Sequence, residues 1–134
     1  LDSYNFEVVD CIKIDVEGSE LLVMQGAKDT IERCRPSVQV EIVPKQCNLF
    51  GYDPQDLYDF FAKLDYVCVS AVRRPMNKEQ KDLYWGKNIG MKHLQIKKYM
   101  DRLFVPREVH DATDYGTMAQ ANIDPTAANL FDFG

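Results

Sequence analysis

Asp15 and Glu17 stand two residues apart, with Gly18 directly behind them, in the stretch Ile12-Lys13-Ile14-Asp15-Val16-Glu17-Gly18-Ser19-Glu20. Carboxylates placed like this can accept hydrogen bonds from hydroxyl or amine groups, hold a metal ion, or act as a general base. Gly18 permits a sharp turn or the close approach of a ligand. A plainer role is open to the same side chains, because acidic turns ahead of helices commonly satisfy the amides of the turn and of the first helical residues.

Glu41 adds a third carboxylate. Val38, Val40 and Ile42 alternate with Gln39 and Glu41, which gives the segment one apolar and one polar face. If the strands that end at Asp15 and Glu41 are parallel neighbours, Lys13, Asp15, Gln39 and Glu41 make a polar strip on one side of the sheet. Parallel sheets are normally covered on both faces and read as almost continuously apolar, so the strip asks for an explanation. Lys13 paired with Glu41, leaving Asp15 for a ligand, is one arrangement.

Other chemistry has little support. His93 and His110 are isolated from each other and from acidic pairs, and are expected at the surface. There is no Gly-x-Ser-x-Gly elbow and no Walker-type loop. Cys11, Cys34, Cys47 and Cys68 occur singly, which points to buried reduced thiols rather than a disulfide framework or a zinc site. Lys92, Lys97, Lys98 and Arg102 cluster near Tyr99, a pattern expected of a solvated helix face.

The elements that must position the carboxylates are legible in order. Leu1 to Glu7 reads as a connector and Val8 to Ile14 as a strand, with Ile12 and Ile14 on one face. A helix is expected from near Ser19, with Glu20 at the positive end of its dipole. Leu21, Met24, Ala27, Ile31 and Cys34 make its buried stripe, and Gly26 marks a kink. Arg35-Pro36 ends it, because proline disfavours the helical region for the residue before it. Ser37 to Val43 is a second strand, and a right-handed parallel crossover is the default connection. Pro44 to Tyr52 reads as a loop. Asp53-Pro54 opens a helix with the stripe Leu57, Phe60, Phe61 and Leu64. Tyr66 to Val72 is a third strand, Lys78 to Lys81 a loop or short helix, Met91 to Met100 a helix with a basic face, and Arg102 to Val105 a last strand. From Asp111 the composition is that of a tail. Successive β-α-β units define an α/β class.

Composition sets the outer bounds. At 134 residues with 46% hydrophobic and 28% charged, the chain suits one globular domain. A net charge of -5 argues against nucleic acid as the main partner. No apolar run approaches the roughly 20 residues of a membrane span, and no signal peptide opens the chain, so a cytoplasmic location is expected. The chain begins at Leu1, directly before a strand, as though something upstream had been removed.

The stretch Ile12 to Glu20, followed by Leu21-Leu22-Val23-Met24-Gln25-Gly26-Ala27, then Arg35-Pro36 and Val40-Glu41-Ile42, resembles the second half of the FkbM family of S-adenosylmethionine-dependent methyltransferases. The resemblance covers Val9 to Val72, with a weaker echo in Leu103-Phe104-Val105-Pro106. It implies the C-terminal half of a Rossmann-like class I methyltransferase sheet, mostly parallel with an antiparallel last strand. Val8 to Ile14 would be the fourth of seven strands, Ser37 to Val43 the fifth, Tyr66 to Val72 the sixth and Arg102 to Val105 the seventh. Residues 1–110 then form a partial methyltransferase domain and 111–134 a tail. Strands one to three are missing, and with them the glycine-rich turn that holds most of the cofactor. The segment Arg73 to Asp101 is long for a connection that is usually short.

The resemblance implies S-adenosylmethionine as cofactor and a hydroxyl of a sugar or other small metabolite as acceptor. Asp15 and Glu17 become the catalytic candidates, Asp15 and Val16 the cofactor contacts, and Glu17, Gly18 and Glu41 the acceptor contacts, with no metal. The strand Val8 to Ile14 would be an unpaired apolar edge, which the missing N-terminal half or a partner chain must cover. Two other classes stay open: a non-catalytic fragment that acts by association, and a metal-dependent hydrolase using Asp15, Glu17 and Glu41.

Overall fold

Apolar residues in four short segments build the centre of the molecule, a sheet whose main core lies on the side of the helices. The computed structural model describes residues 1–69, 88–93 and 100–113. The features expected at Ser70 to Val72, Lys78 to Lys81, Lys97 to Tyr99 and beyond Thr113 lie outside the described residues.

The first strand, β1, is Cys11–Ile14, shorter than the sequence suggested. It pairs in parallel with β2, Ser37–Ile42, in the register Ile12 to Val38 and Ile14 to Val40. The crossover is one broken helix, α1 over Glu20–Gln25 and α2 over Lys28–Cys34. The break falls at Gly26 and Ala27, yet Met24, Ala27 and Ile31 all remain fully buried, while Leu21 and Cys34 at the ends of the expected stripe are half-buried. The leading segment does more than connect. Asp2 accepts hydrogen bonds from the Asp29 and Thr30 amides and from the Thr30 hydroxyl, which fastens it to the start of α2.

The segment after β2 is helical where a loop was expected: α3 spans Pro44–Leu49. Pro44 starts it with the pre-set backbone angle that suits a first helical position, and the helix is too short to carry a periodic signal. Next comes α4, Pro54–Lys63, capped as the sequence indicates. Asp53 accepts from the Gln55 amide at 2.8 Å, and Asp56 in turn accepts from the Asp53 amide at 3.0 Å. Leu57 and Phe61 are buried, while Phe60 and Leu64 are half-buried.

The third strand, β3, is Tyr66–Val69, and the fourth, β4, is Met100–Pro106. Met91 to His93 are not helical, and Met100 already belongs to β4. A short helix that the sequence did not announce, α5, follows at Arg107–Ala112. The sheet order is β1-β2-β4-β3, with β4 antiparallel to both neighbours. The antiparallel last strand therefore matches the expectation, but its insertion between β2 and β3 makes two of the three ladders antiparallel, so the sheet is mixed rather than mostly parallel. The fold is α/β.

One face holds the main core: Ile14, Val38, Val40, Ile42, Tyr66, Cys68 and Phe104 meet Met24, Ile31, Leu57, Tyr58 and Phe61. The Phe61 and Phe104 rings stack at 4.2 Å between centroids. The opposite face carries a smaller apolar cluster of Val67, Val69, Leu103 and Val105.

The thiols divide. Cys47 and Cys68 are buried, Cys34 is half-buried and Cys11 is exposed, which corrects the expectation of four buried thiols; all four are free. Cys11 is exposed because it lies on the face of β1 away from the helices. Among the described residues no helix is long and apolar enough to cross a membrane.

Candidate functional site

The end of β1 leads into a turn whose backbone is locally costly. Glu17 has φ +53 and Gly18 has φ +114, two successive residues at positive φ. For a residue with a side chain this costs about 1–2 kcal/mol. Something must hold Glu17 there, and that group is Glu20. Its side chain is only 2% exposed. Its Oε1 accepts from the Gly18 amide at 3.1 Å and from the Val16 amide at 3.3 Å, and its Oε2 accepts from the Tyr52 hydroxyl at 3.1 Å. Hydrogen bonds to a charged group contribute about 1.5–3 kcal/mol each, enough to outweigh the strain at Glu17. Glu20 thus serves the turn's own amides, more than the dipole of the helix it begins.

Tyr52 completes the arrangement from the far side of α3. Its hydroxyl also lies 2.9 Å from the Gly18 carbonyl oxygen, to which it donates. Burial first, then the neighbouring Cys47 and Glu20, pushes the Tyr52 hydroxyl far up from its ordinary value, so it stays a proton donor across the working range. Phe50 lies over Gly18, where an added Cβ would meet Phe50 Cδ2 at 2.7 Å. Gly18 is accordingly buried. It provides the turn and the seat for Phe50, and the space over its Cα is already filled.

The expected site residues fall into two groups. Asp15, Val16 and Glu17 are exposed together on the turn at the C-terminal end of β1. In open α/β sheets, ligands sit beyond the carboxyl ends of the parallel strands. Glu41 is half-buried on β2, and the register Lys13 to Gln39 and Glu41 to Asp101 puts Lys13, Gln39, Glu41 and Asp101 on the face away from the helices. Lys13 and Glu41 therefore share a face, as the expected strip requires. Gln39 is buried there, and its Oε1 has no hydrogen-bond partner among the described residues.

Around this turn, sequence reasoning missed two functional neighbours, Glu20 and Tyr52. Glu20 had a usable signal, an acid two residues past the glycine of a turn. Tyr52 had none, since its role depends on a contact across 34 positions. His93 is half-buried rather than a surface residue: its amide donates to Gln55 Oε1 at 2.7 Å and its ring lies 5.7 Å from that of Tyr58. Burial lowers its pKa from the ordinary value. His110 is also half-buried, beside Asp111. Among the described residues no three His, Cys, Asp or Glu side chains gather in a way that could hold a metal ion. Asp15, Glu17 and Glu41 are therefore not brought together as the hydrolase alternative requires.

A family model described as the methyltransferase FkbM domain matches residues 1–68, half of the 134-residue chain. The chain belongs to the FkbM methyltransferase domain family. The match takes in β1, the Asp15 to Glu20 turn, β2, α4 and most of β3. No curated protein and no solved structure matches the chain. Membership of the FkbM family makes methyl transfer the general class of activity, carried in this chain by part of a domain.

S-adenosylmethionine is the usual methyl donor of that family. The exposed carboxylates of Asp15 and Glu17 suit one wall of a site for a cationic sulfonium. The filled space over Gly18 does not suit a phosphate or nucleotide cradle at that glycine.

Proposed function

We propose that this chain supplies the acceptor side of an S-adenosylmethionine-dependent methyl-transfer site, and that the acceptor is a hydroxyl of a sugar or other small metabolite. The observation that carries this reading is the braced, exposed Asp15 to Glu17 turn at the C-terminal end of parallel β1, in a chain of the FkbM family. The order β1-β2-β4-β3, with the antiparallel strand inserted before the last position, supports a Rossmann-like class I sheet in which these are strands four, five, seven and six.

When bound, the cofactor supplies an electrophilic methyl group. Asp15 would accept the hydrogen bond of the acceptor hydroxyl, align its oxygen and take up its proton. Alignment of this kind can contribute about 7–11 kcal/mol to catalysis, and a general base about 10²- to 10⁴-fold in rate. Val16 flanks the cofactor. Glu17 holds a second polar group of the acceptor. Gly18 shapes the turn that presents these groups, and Glu41, with Lys13 on the same face, supports the acceptor wall.

Three exposed apolar residues favour a covering segment beside β1. Tyr4 and Phe6 stack on each other at 5.7 Å, Val8 is exposed nearby in sequence, and among the described residues β1 has β2 as its single neighbour in the sheet order. An N-terminal half of the domain, or a partner chain, would pair along that edge. The same observation favours the second reading, a module that acts by association.

Calorimetric titration with S-adenosylmethionine separates the two. Saturable heat at a one-to-one ratio supports the enzyme reading, and its absence means that this segment alone does not hold the cofactor.

A further inference from the structure

We propose that Glu20 and Tyr52 are positioning residues for the site, a buried clasp that fixes the backbone from which Asp15 and Glu17 project. The proposal rests on the reading of this turn as one wall of a methyl-transfer site, and it adds two residues that touch no ligand.

Glu20 is too buried to meet a substrate, and its carboxylate is consumed by the amides of Val16 and Gly18 and by the Tyr52 hydroxyl. Those amides bracket Glu17, the residue held at φ +53. The clasp opposes relaxation of Glu17 into the right-handed region. That relaxation would rotate the peptides on either side and redirect the carboxylates of Asp15 and Glu17. The Tyr52 ring packs against the apolar cluster that contains Met24, Ala27 and Ile31, so Tyr52→Phe, which keeps the ring, removes the hydroxyl of the clasp and leaves the core contact in place.

Tyr52 has one proton and two oxygen acceptors within reach, Gly18 O at 2.9 Å and Glu20 Oε2 at 3.1 Å, with the Cys47 sulfur also beside it. A glutamine at position 20 resolves this sharing. Its carbonyl oxygen still accepts from the two amides, while its amide nitrogen donates to the Tyr52 oxygen and leaves the tyrosine proton for Gly18. Glu20→Gln is therefore a rescuing variant, whereas Glu20→Ala and Tyr52→Phe open the clasp.

The experiment compares the full chain with its Tyr52→Phe, Glu20→Ala and Glu20→Gln variants by amide hydrogen exchange and by titration with S-adenosylmethionine. Exchange at the Val16 and Gly18 amides should quicken about ten- to a hundredfold in Tyr52→Phe and Glu20→Ala. The Val38 and Val40 amides of β2 should keep their protection, and Glu20→Gln should exchange like the parent. Cofactor affinity should fall in the same two variants and hold in Glu20→Gln. Unchanged exchange at Gly18 in Tyr52→Phe overturns the proposal, even if Glu20→Ala fails to fold. Faster exchange with undiminished cofactor affinity overturns the positioning role. A parent chain that binds no S-adenosylmethionine means that this segment alone does not hold the cofactor, and amide exchange alone then decides whether the clasp exists.

Discussion

Arg35 and Glu108 meet in a two-pronged pair, Nε to Oε1 at 2.7 Å and Nη2 to Oε2 at 2.9 Å. The same guanidinium donates to the Leu64 and Asp65 carbonyls and stacks over the Tyr66 ring at 4.7 Å. One side chain thus ties the end of α2 to the end of α4, the start of β3 and the first turn of α5. Arg35 takes a left-handed backbone at φ +53, ahead of Pro36, to reach them.

The pair predicts an acid dependence of stability. The hydrogen bonds from Arg35 hold the Glu108 carboxyl at about 2, below its ordinary 4.5. A lowered folded value stabilises the fold above the unfolded value and ceases to do so as pH falls through the folded one. The melting temperature of the parent chain should therefore exceed that of Glu108→Gln at about pH 6, and the gap should close between pH 4.5 and about 2. Because the Glu108 side chain is 55% exposed, solvent and salt screen the pair, and the gap should be small and shrink with added salt. Parallel melting curves across that range would mean that the pair contributes nothing to stability.

Thiol chemistry should sort the four cysteines by burial. Cys68 lies under the aromatic core on β3, where burial pushes its thiol up to about 12, and Cys47 is raised mainly by burial as well. The reactive species is the thiolate. A maleimide at about pH 7.5 should label Cys11 first and leave Cys47 and Cys68 unlabelled until the protein is denatured. Mass spectrometry of the digested adduct reads the order directly, and early labelling of Cys68 would contradict its burial in the core beside Phe104 and Phe61.

What the sequence disclosed and what it withheld follow from the range of the interactions. Local signals were accurate: the alternation of Val38, Val40 and Ile42, the Asp53-Pro54 start of α4, and the stripe of Met24, Ala27 and Ile31 each depend on neighbours a few residues away. The insertion of β4 between β2 and β3 depends on pairing between segments far apart in the chain, so no period announces it. The same limit hid the clasp. The turn was visible as Asp15 to Gly18, but the group that braces it from across the fold is Tyr52, which follows only after β2 and three helices.

On the proposed reading, Asp15→Asn should lower the rate of methyl transfer by about 10²- to 10⁴-fold while leaving the fold intact. Asp15 is exposed at the end of β1, so an isosteric amide removes the base without opening the core. Release of S-adenosylhomocysteine in the presence of a panel of free sugars provides the readout. Glu17→Gln should act mainly on the acceptor KM, since that carboxylate is proposed to hold the acceptor and not to take its proton. Equal loss of kcat in both variants would favour two interchangeable carboxylates over separate roles for Asp15 and Glu17.

Gly18 offers a test in which two causes of destabilisation can be separated. An alanine there suffers from the backbone, at φ +114, and from space, because its Cβ would stand 2.7 Å from Phe50 Cδ2 and 3.1 Å from the Gln46 carbonyl oxygen. Backbone strain of this kind costs about 1–3 kcal/mol wherever it occurs. Phe50 is 54% exposed and can swing outward, so its share should be the smaller one, whereas the Gln46 carbonyl belongs to α3 and has less freedom. Gly18→Ala should therefore destabilise the chain to denaturant by about 1–3 kcal/mol, and combining it with Phe50→Ala should recover only a minor part of that loss. Full recovery in the double variant would mean that Phe50, and not the left-handed backbone, is what requires glycine at the centre of the turn.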